Sequence, residues 1–250
     1  MALYEKSVRL LMRDMVGDLH LQKGQIISTD QILAWFGQRY PRVKRATVTA
    51  HLILLSTNAP SRVYHHAKPE DDLFYKVDGS SFRLYDPASD PSPIYADSGV
   101  AGKATIEPEP AAEPVSEFAY ESDLRDFLAK NLSILEPGLK LYQEEGITGV
   151  EFPAGGRLID ILALDGQNNF VVIELKVSKG YDRVVGQLLR YVAWIADNLA
   201  EPTQKVRGII ISREISVDLS LACSRVPDVE LYEYELSVAL RKVQRHRREA

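Results

Sequence analysis

The chain has little of what covalent-framework or soft-metal chemistry requires. One cysteine, Cys223, occurs in 250 residues, which excludes an intrachain disulfide and any cysteine-cluster metal site. No apolar run approaches the roughly 18–20 residues needed to cross a bilayer. The opening residues, MALYEKSVRLLMRDMVGD, scatter charge among the apolar side chains and lack the continuous core of a secretion signal. These absences lead to the expectation of a cytoplasmic protein with no membrane partner. Positive charge is not in excess either: 30 Lys+Arg stand against 35 Asp+Glu, a net −5. Any case for nucleic acid must therefore rest on how the charge is distributed.

What is present describes a folded protein of more than one unit. Hydrophobic residues make up 45% and charged residues 26%, the balance of a globular chain, and the length suggests two modules. Residues 1–86 carry 12 Lys+Arg against 9 Asp+Glu, residues 87–117 one against six, and residues 118–250 17 against 20. The middle stretch, PASDPSPIYADSGVAGKATIEPEPAAEPVSE, has no apolar period and reads as a linker that would let each module fold alone. The expected organisation is a basic module over 1–86, an acidic linker over 87–117 and a second module over 118–250. A basic module beside an acidic linker permits DNA as a partner.

The first module reads as three helices and a small sheet. Val8, Leu11, Met12 and Met15 have helical spacing, Ser28 or Thr29 can cap DQILAWFGQRY ahead of Pro41, and Lys44 to Ser56 carries Val48, Leu52 and Leu55 on one face. RVYHH, DLFYKV and SFRLYD read as strands, the last two joined at Asp78-Gly79-Ser80. Three helices followed by a hairpin is the order of a winged helix. The third would be its recognition helix, with Arg42, Lys44, Arg45, Thr47 and Thr49 at the DNA. The competing reading is a protein-docking module whose basic residues are solvated. His65 and His66 suggest a metal, but adjacent strand residues face opposite ways, so a structural pair is the simpler account.

The second module opens with a helix, SEFAYESDLRDFLAKNL, striped by Phe118, Leu124, Phe127 and Leu128, followed by a strand at LKLYQEE. Two apolar runs, RLIDILAL and FVVIELK, then flank Asp165-Gly166-Gln167-Asn168-Asn169, a turn-rich segment that predicts an antiparallel hairpin. Pairing Leu164 with Phe170 sets Asp160 opposite Glu174, with Cβ atoms about 5 Å apart, and Lys176 on the face of Glu174. Facing carboxylates in apolar strands repel, and a divalent cation relieves them. An oxygen-only donor set with open positions suits Mg²⁺ or Mn²⁺. Held by Asp160 and Glu174, with Lys176 beside the attacking water, such a metal would support phosphodiester hydrolysis. The competing reading is a structural Glu174–Lys176 ion pair with Asp160 solvated. On the following helix, YDRVVGQLLRYVAWIADNLA, Gln187 and Tyr191 share a face, and Lys179, Arg183 and Arg190 are available to phosphates. KVRGIIIS reads as a further strand, SVDLSLACSR as a helix burying Cys223, and VELYEYEL as a last strand.

The strings GRLIDILALD, FVVIELKVSKG and VVGQLLRYVAW together resemble the nuclease domain of the NucS/EndoMS endonucleases, within the PD-(D/E)xK superfamily. The resemblance implies an α/β fold, a restriction-endonuclease-like α/β/α core with a mixed sheet. It implies catalytic roles for Asp160, Glu174 and Lys176, supporting roles for Gln187 and Tyr191, and an additional acidic position at Glu121. Glu136 in LEPGL reads as a loop or cap residue. Ile159 stands where the motif's name has proline, and the first module does not resemble the NucS N-terminal domain, so chemistry is implied and mismatch specificity is not. The functional expectation is a Mg²⁺-dependent DNA endonuclease of restriction or repair, homodimeric if it cuts both strands. The alternative is a regulatory DNA-binding protein with a silent nuclease fold.

Overall fold

The computed structural model describes residues 4–96, 115–176 and 181–235. Helix α1 (Val8–Asp18) buries Val8, Leu11, Met12 and Met15, the stripe its spacing dictates. Strand β1 (Ile27–Ser28) leads directly into α2 (Thr29–Arg39). Ser28 is the N-cap of α2: its hydroxyl accepts from Gln31 N at 3.2 Å, and Gln31 Oε1 accepts from Ser28 N at 2.9 Å. Helix α3 (Arg45–Leu54) follows Pro41, and strands β2 (Phe74–Lys76) and β3 (Ser81–Leu84) form the expected hairpin. Strand β3 also pairs with β1, giving the order β1-β3-β2.

Three expectations for this half need correction. RVYHH is not a strand. Pro60 opens a 3-10 turn, Pro60–His65, closed by His66 with φ 50°. The turn buries His65 and exposes His66. The linker reading fails over its first ten residues: Asp90 pairs with Arg83, Ile94 N donates to Thr57 O at 2.9 Å, and Arg62 lies over the Tyr95 ring. Finally, α3 is apolar on two faces. Val48, Leu52 and Leu55 join the core of residues 8–84, while Ala46, Ala50 and Leu54 enter the core of the second half.

That second half is built on a mixed sheet. Helix α4 (Val115–Lys130) starts within the stretch read as linker. Strands β4 (Lys140–Leu141) and β5 (Gln143–Glu144) divide the expected strand LKLYQEE at Tyr142, and Glu145 (φ 47°) and Gly146 (φ 87°) then turn β5 back onto β6 (Ile147–Thr148). There follow β7 (Val150–Ala154), β8 (Arg157–Leu164), β9 (Phe170–Lys176), α5 (Tyr181–Asn198), β10 (Val206–Ser212), α6 (Val217–Cys223) and β11 (Val229–Glu233). The sheet runs β11-β10-β9-β8-β4, with β7 also on β8; β9, β10 and β11 are parallel and the remaining pairs antiparallel.

Strands with apolar residues on both faces need cover on both sides. Leu124 and Leu128 of α4 pack with Ile161, Ile173, Leu175 and Ile209 on one face. Val184, Leu188, Tyr191 and Ile195 of α5, with Leu219 and Cys223 of α6, pack with Leu162, Val172 and Ile210 on the other. This is an α/β/α sandwich with a mixed sheet. Phe127, expected in the α4 stripe, is 53% exposed. No helix among the described residues is long and apolar enough to cross a membrane.

Candidate active site

The hairpin that carries the candidate residues is set by its turn. Asp165 Oδ1 accepts from Gln167 N at 2.9 Å and from Asn169 N at 2.8 Å, and Asn168 takes the left-handed φ of 66°. The ladder then runs from Leu164↔Phe170 to Ile161↔Ile173. Beyond Ile161 side chains replace it. Leu175 N donates to Asp160 Oδ2 at 2.8 Å, and Asp160 N approaches Glu174 Oε1 at 3.4 Å. The two carboxyls thus sit between separating backbones, each in reach of the other's strand.

Strand β8 changes phase at this point. Ile159 packs in the α5-side core and Ile161 in the α4-side core, although residues two apart in a regular strand share a face. On the neighbouring strand the pairs Val150↔Ile161 and Phe152↔Ile159 bracket Glu151, which has φ 46°. A non-glycine residue in that region is strained. The local break therefore falls opposite Asp160.

Burial raises the pKa of Asp160, with Lys176 and Arg125 acting against the rise. Burial raises that of Glu174 well above the usual range, reinforced by the Asp160 charge. Glu174 is 0% exposed, so its ionised form has lost its water. Lys176, two residues along β9, pairs with Ser212 of β10 just as Glu174 pairs with Ile210, which keeps it on the side of Glu174. From α4, Glu121 joins the same field. Burial and then Asp160 push its pKa up to about 6, with Lys176 and Arg125 opposing. From α5, Gln187 Nε2 donates to Glu174 Oε2 at 2.8 Å, and the Tyr191 hydroxyl lies 3.4 Å from that nitrogen while donating to Leu158 O at 2.9 Å. The structure so brings together Asp160, Glu174, Lys176, Glu121, Gln187 and Tyr191. Three carboxyls with raised pKa share one electrostatic field, which suits proton transfer. Among the described residues no three acidic, His or Cys side chains are gathered closely enough to form a metal site by themselves, so a cation here would rest on Asp160 and Glu174 with water filling its other positions.

Arg125 and Glu151 were not anticipated. Arg125 Nη1 donates to Glu151 Oε1 at 2.6 Å. Arg125 lies four residues after Glu121 on a helix, a spacing that would have flagged it, whereas Glu151 had no signal beyond its charge. Glu136 pairs with Arg207, which lies beside Val171 in the sheet, three residues along β10 from the neighbour of Glu174, a structural role.

The residues expected at DNA are dispersed. Arg42 and Arg45 are exposed, but Lys44 Nζ pairs with Glu201 Oε1 at 3.1 Å. Thr49 is half-buried and bonds back to Ala46 O. Thr47 is 4% exposed and donates to Glu144 Oε2 at 3.0 Å, so it is a seam residue. Glu201 lies beyond the end of α5 and Gln187 near its start, which separates Lys44 from the carboxylate cleft by roughly 20 Å of helical rise. Arg183 and Arg190 are exposed on α5 itself. Lys179 lies outside the described residues.

Residues 120–226 match the family described as Endonuclease NucS C-terminal domain. The C-terminal region is NucS-like. Residues 7–84 match a separate family, Domain of unknown function (DUF7669). Endonuclease NucS of Methanocaldococcus jannaschii is 32% identical over 104 residues, 42% of this chain and 36% of that protein. The Methanopyrus kandleri NucS is 32% identical over 99 residues, 40% and 35% of the two chains. The chain thus spans little more than a third of the length of these relatives. Among solved structures, a repair endonuclease from Pyrococcus abyssi aligns with 24% identity and a TM-score of 0.38 over 51% of this chain and 50% of that one. A complex of EndoMS with double-stranded DNA aligns with 20% identity and a TM-score of 0.38 over 64% and 53%. The NucS-like match takes in Glu121, Asp160, Glu174, Lys176, Gln187 and Tyr191, and stops short of the N-terminal half.

Proposed function

We propose that this protein is a divalent-metal-dependent endodeoxyribonuclease of repair or restriction, its N-terminal half a winged helix and its working form a homodimer. The observation that carries the reading is the pair Asp160, half-buried, and Glu174, fully buried, facing each other at the end of an apolar hairpin. Their mutual repulsion has no structural purpose, and an oxygen-rich donor set of this kind fits Mg²⁺ or Mn²⁺. Asp160 and Glu174 would hold the ion. Bound there, it would supply Lewis acidity toward the phosphate and lower the pKa of a water.

The remaining roles belong to side chains. Gln187 holds Glu174 in orientation through Oε2, leaving Oε1 toward Asp160. Tyr191 fixes Gln187 and is itself anchored on Leu158 O. Lys176 would position the attacking water and offset charge on the phosphate. Glu121, poised near neutrality, suits proton transfer. Arg183, Arg190, Arg42 and Arg45 are exposed and would face the DNA backbone. Dimerisation would supply the second active site needed to cut both strands.

The test is Glu174→Ala in the full chain, assayed on plasmid and oligonucleotide DNA with Mg²⁺ and with EDTA. Hydrolysis should fall by on the order of a thousandfold or more. DNA affinity should hold, because it comes mainly from phosphate contacts elsewhere. Cleavage that survives both the substitution and EDTA would remove the site.

A further inference from the structure

The N-terminal half grips the nuclease half beside the cleft, at one residue in particular. Arg125 Nη2 donates to the Tyr64 hydroxyl at 2.6 Å, and its guanidinium lies 5.0 Å from the centre of that ring. Tyr64 belongs to the 3-10 turn of the N-terminal half. Its carbonyl accepts from Thr148 Oγ1 at 3.0 Å, and the next residue, His65, accepts from Thr148 N at 3.2 Å through Nδ1. The turn is therefore tied to the chain just before β7, the strand that bears Glu151. Arg125 is buried, holds Glu151 at 2.6 Å, and stands one helical turn from Glu121.

We propose that Tyr64, acting through Arg125, is a positioning residue for the carboxylate cleft, so that the N-terminal half completes the nuclease site rather than only selecting DNA. The proposal rests on the metal-nuclease reading above. A buried guanidinium keeps its place only while its hydrogen-bonding groups are satisfied. Arg125 Nε has no hydrogen-bond partner and only an ion-pair contact with Asp126 Oδ1 at 3.6 Å, so loss of the Tyr64 hydroxyl leaves a second donor without a hydrogen bond. Arg125 would then settle elsewhere. Glu151, held in a strained backbone opposite Asp160, would lose its fixed counter-charge, and Glu121 would lose a neighbouring cation.

The experiment uses the full chain and reads Mn²⁺ affinity by calorimetry beside kcat and KM on DNA. Tyr64→Phe keeps the ring and removes only the hydroxyl. It should lower kcat and Mn²⁺ affinity each by about tenfold, the usual range for a group that orients metal ligands, with KM for DNA unchanged and the melting temperature lowered by only a few degrees, roughly the cost of one buried donor left unpaired. Arg125→Met should lose more than Tyr64→Phe, and Arg125→Lys should recover part of that loss. Wild-type kcat and Mn²⁺ affinity in Tyr64→Phe would overturn the link. So would a loss of kcat, KM and melting temperature together, which would mark a merely structural contact. Should Arg125→Met fail to fold, Tyr64→Phe still decides. Failure of the underlying reading is separable: Glu174→Ala would then bind Mn²⁺ and cleave like wild type.

Discussion

Two groups of acidic side chains in this molecule have opposite surroundings. At the seam between the halves, Glu144 Oε2 accepts from Thr47 Oγ1 at 3.0 Å and from the Tyr142 hydroxyl at 2.7 Å. Glu145 Oε2 accepts from Val8 N at 2.8 Å. These carboxylates are supplied with donors, and they join the halves. Fifteen to thirty residues along the chain, Asp160 and the fully buried Glu174 face each other, and suffer burial and repulsion that the hydrogen bonds from Leu175 and Gln187 do not cancel. A satisfied acidic cluster holds a fold together, whereas an under-compensated one costs stability unless a cation arrives.

The seam should give the largest stability effect. Leu54 is 0% exposed and sits in the core shared with Phe152 and Ile147. Leu54→Ala should destabilise the whole chain by about 3 kcal/mol in denaturant unfolding, as one transition. Two separate transitions, with the NucS-like half unaffected, would show that the halves are independent and the seam incidental.

Acid should weaken the same seam. His65 is 1% exposed, and burial, with His51, His66 and Arg9 nearby, lowers its pKa to about 3. His51 donates through Nδ1 to Thr47 O at 2.8 Å, and its pKa is also lowered by burial. Free histidine titrates near 6.5, so between pH 6.5 and 3 the unfolded chain binds the additional proton. Stability is complete above pH 6.5 and falls as the pH drops. His65 alone should account for about 2 kcal/mol by pH 5, and His65→Gln should flatten the dependence. An unchanged slope in that variant would exclude His65 as its source.

How much of this was legible in sequence follows from where each partner lies. The hairpin was legible because Asp160, Glu174 and the turn that pairs them fall within fifteen residues, and Gln187 and Tyr191 follow on the next helix. The splaying of β8 from β9 was not, since it coincides with a backbone break at Glu151 on β7, a strand outside the hairpin. The helices of the N-terminal half were legible from spacing and from the Ser28–Gln31 cap. The burial of α3 was not assigned, although Ala46, Ala50 and Leu54 form a second apolar stripe beside Val48, Leu52 and Leu55. A helix apolar on two sides is covered on two sides. Reading only the first stripe left Thr47 at DNA, when its partner, Glu144, lies ninety-seven residues away. RVYHH read as a strand because its β-branched and aromatic content outweighed Pro60, which opens a turn.

The smallest effect is also the one that separates the two acidic groups most directly. Asp160→Asn removes one charge and keeps an oxygen to accept from Leu175 N, so the local hydrogen bond survives. Because burial raises the pKa values of Asp160 and Glu174 in the folded chain, the favourable contribution of the pair is complete below the unfolded carboxylate range near pH 4. It is lost as the pH rises through the folded values. Once the pH exceeds those raised values, and without metal, wild type carries a repulsion that the variant lacks. Asp160→Asn should be more stable there by about 1 kcal/mol, the gain should vanish near pH 4, and hydrolysis should be lost. Adding Mg²⁺ should stabilise wild type alone and close the gap. If instead the variant is less stable above those values, Asp160 belongs with Glu144 as a structural carboxylate, and the contrast between seam and cleft fails.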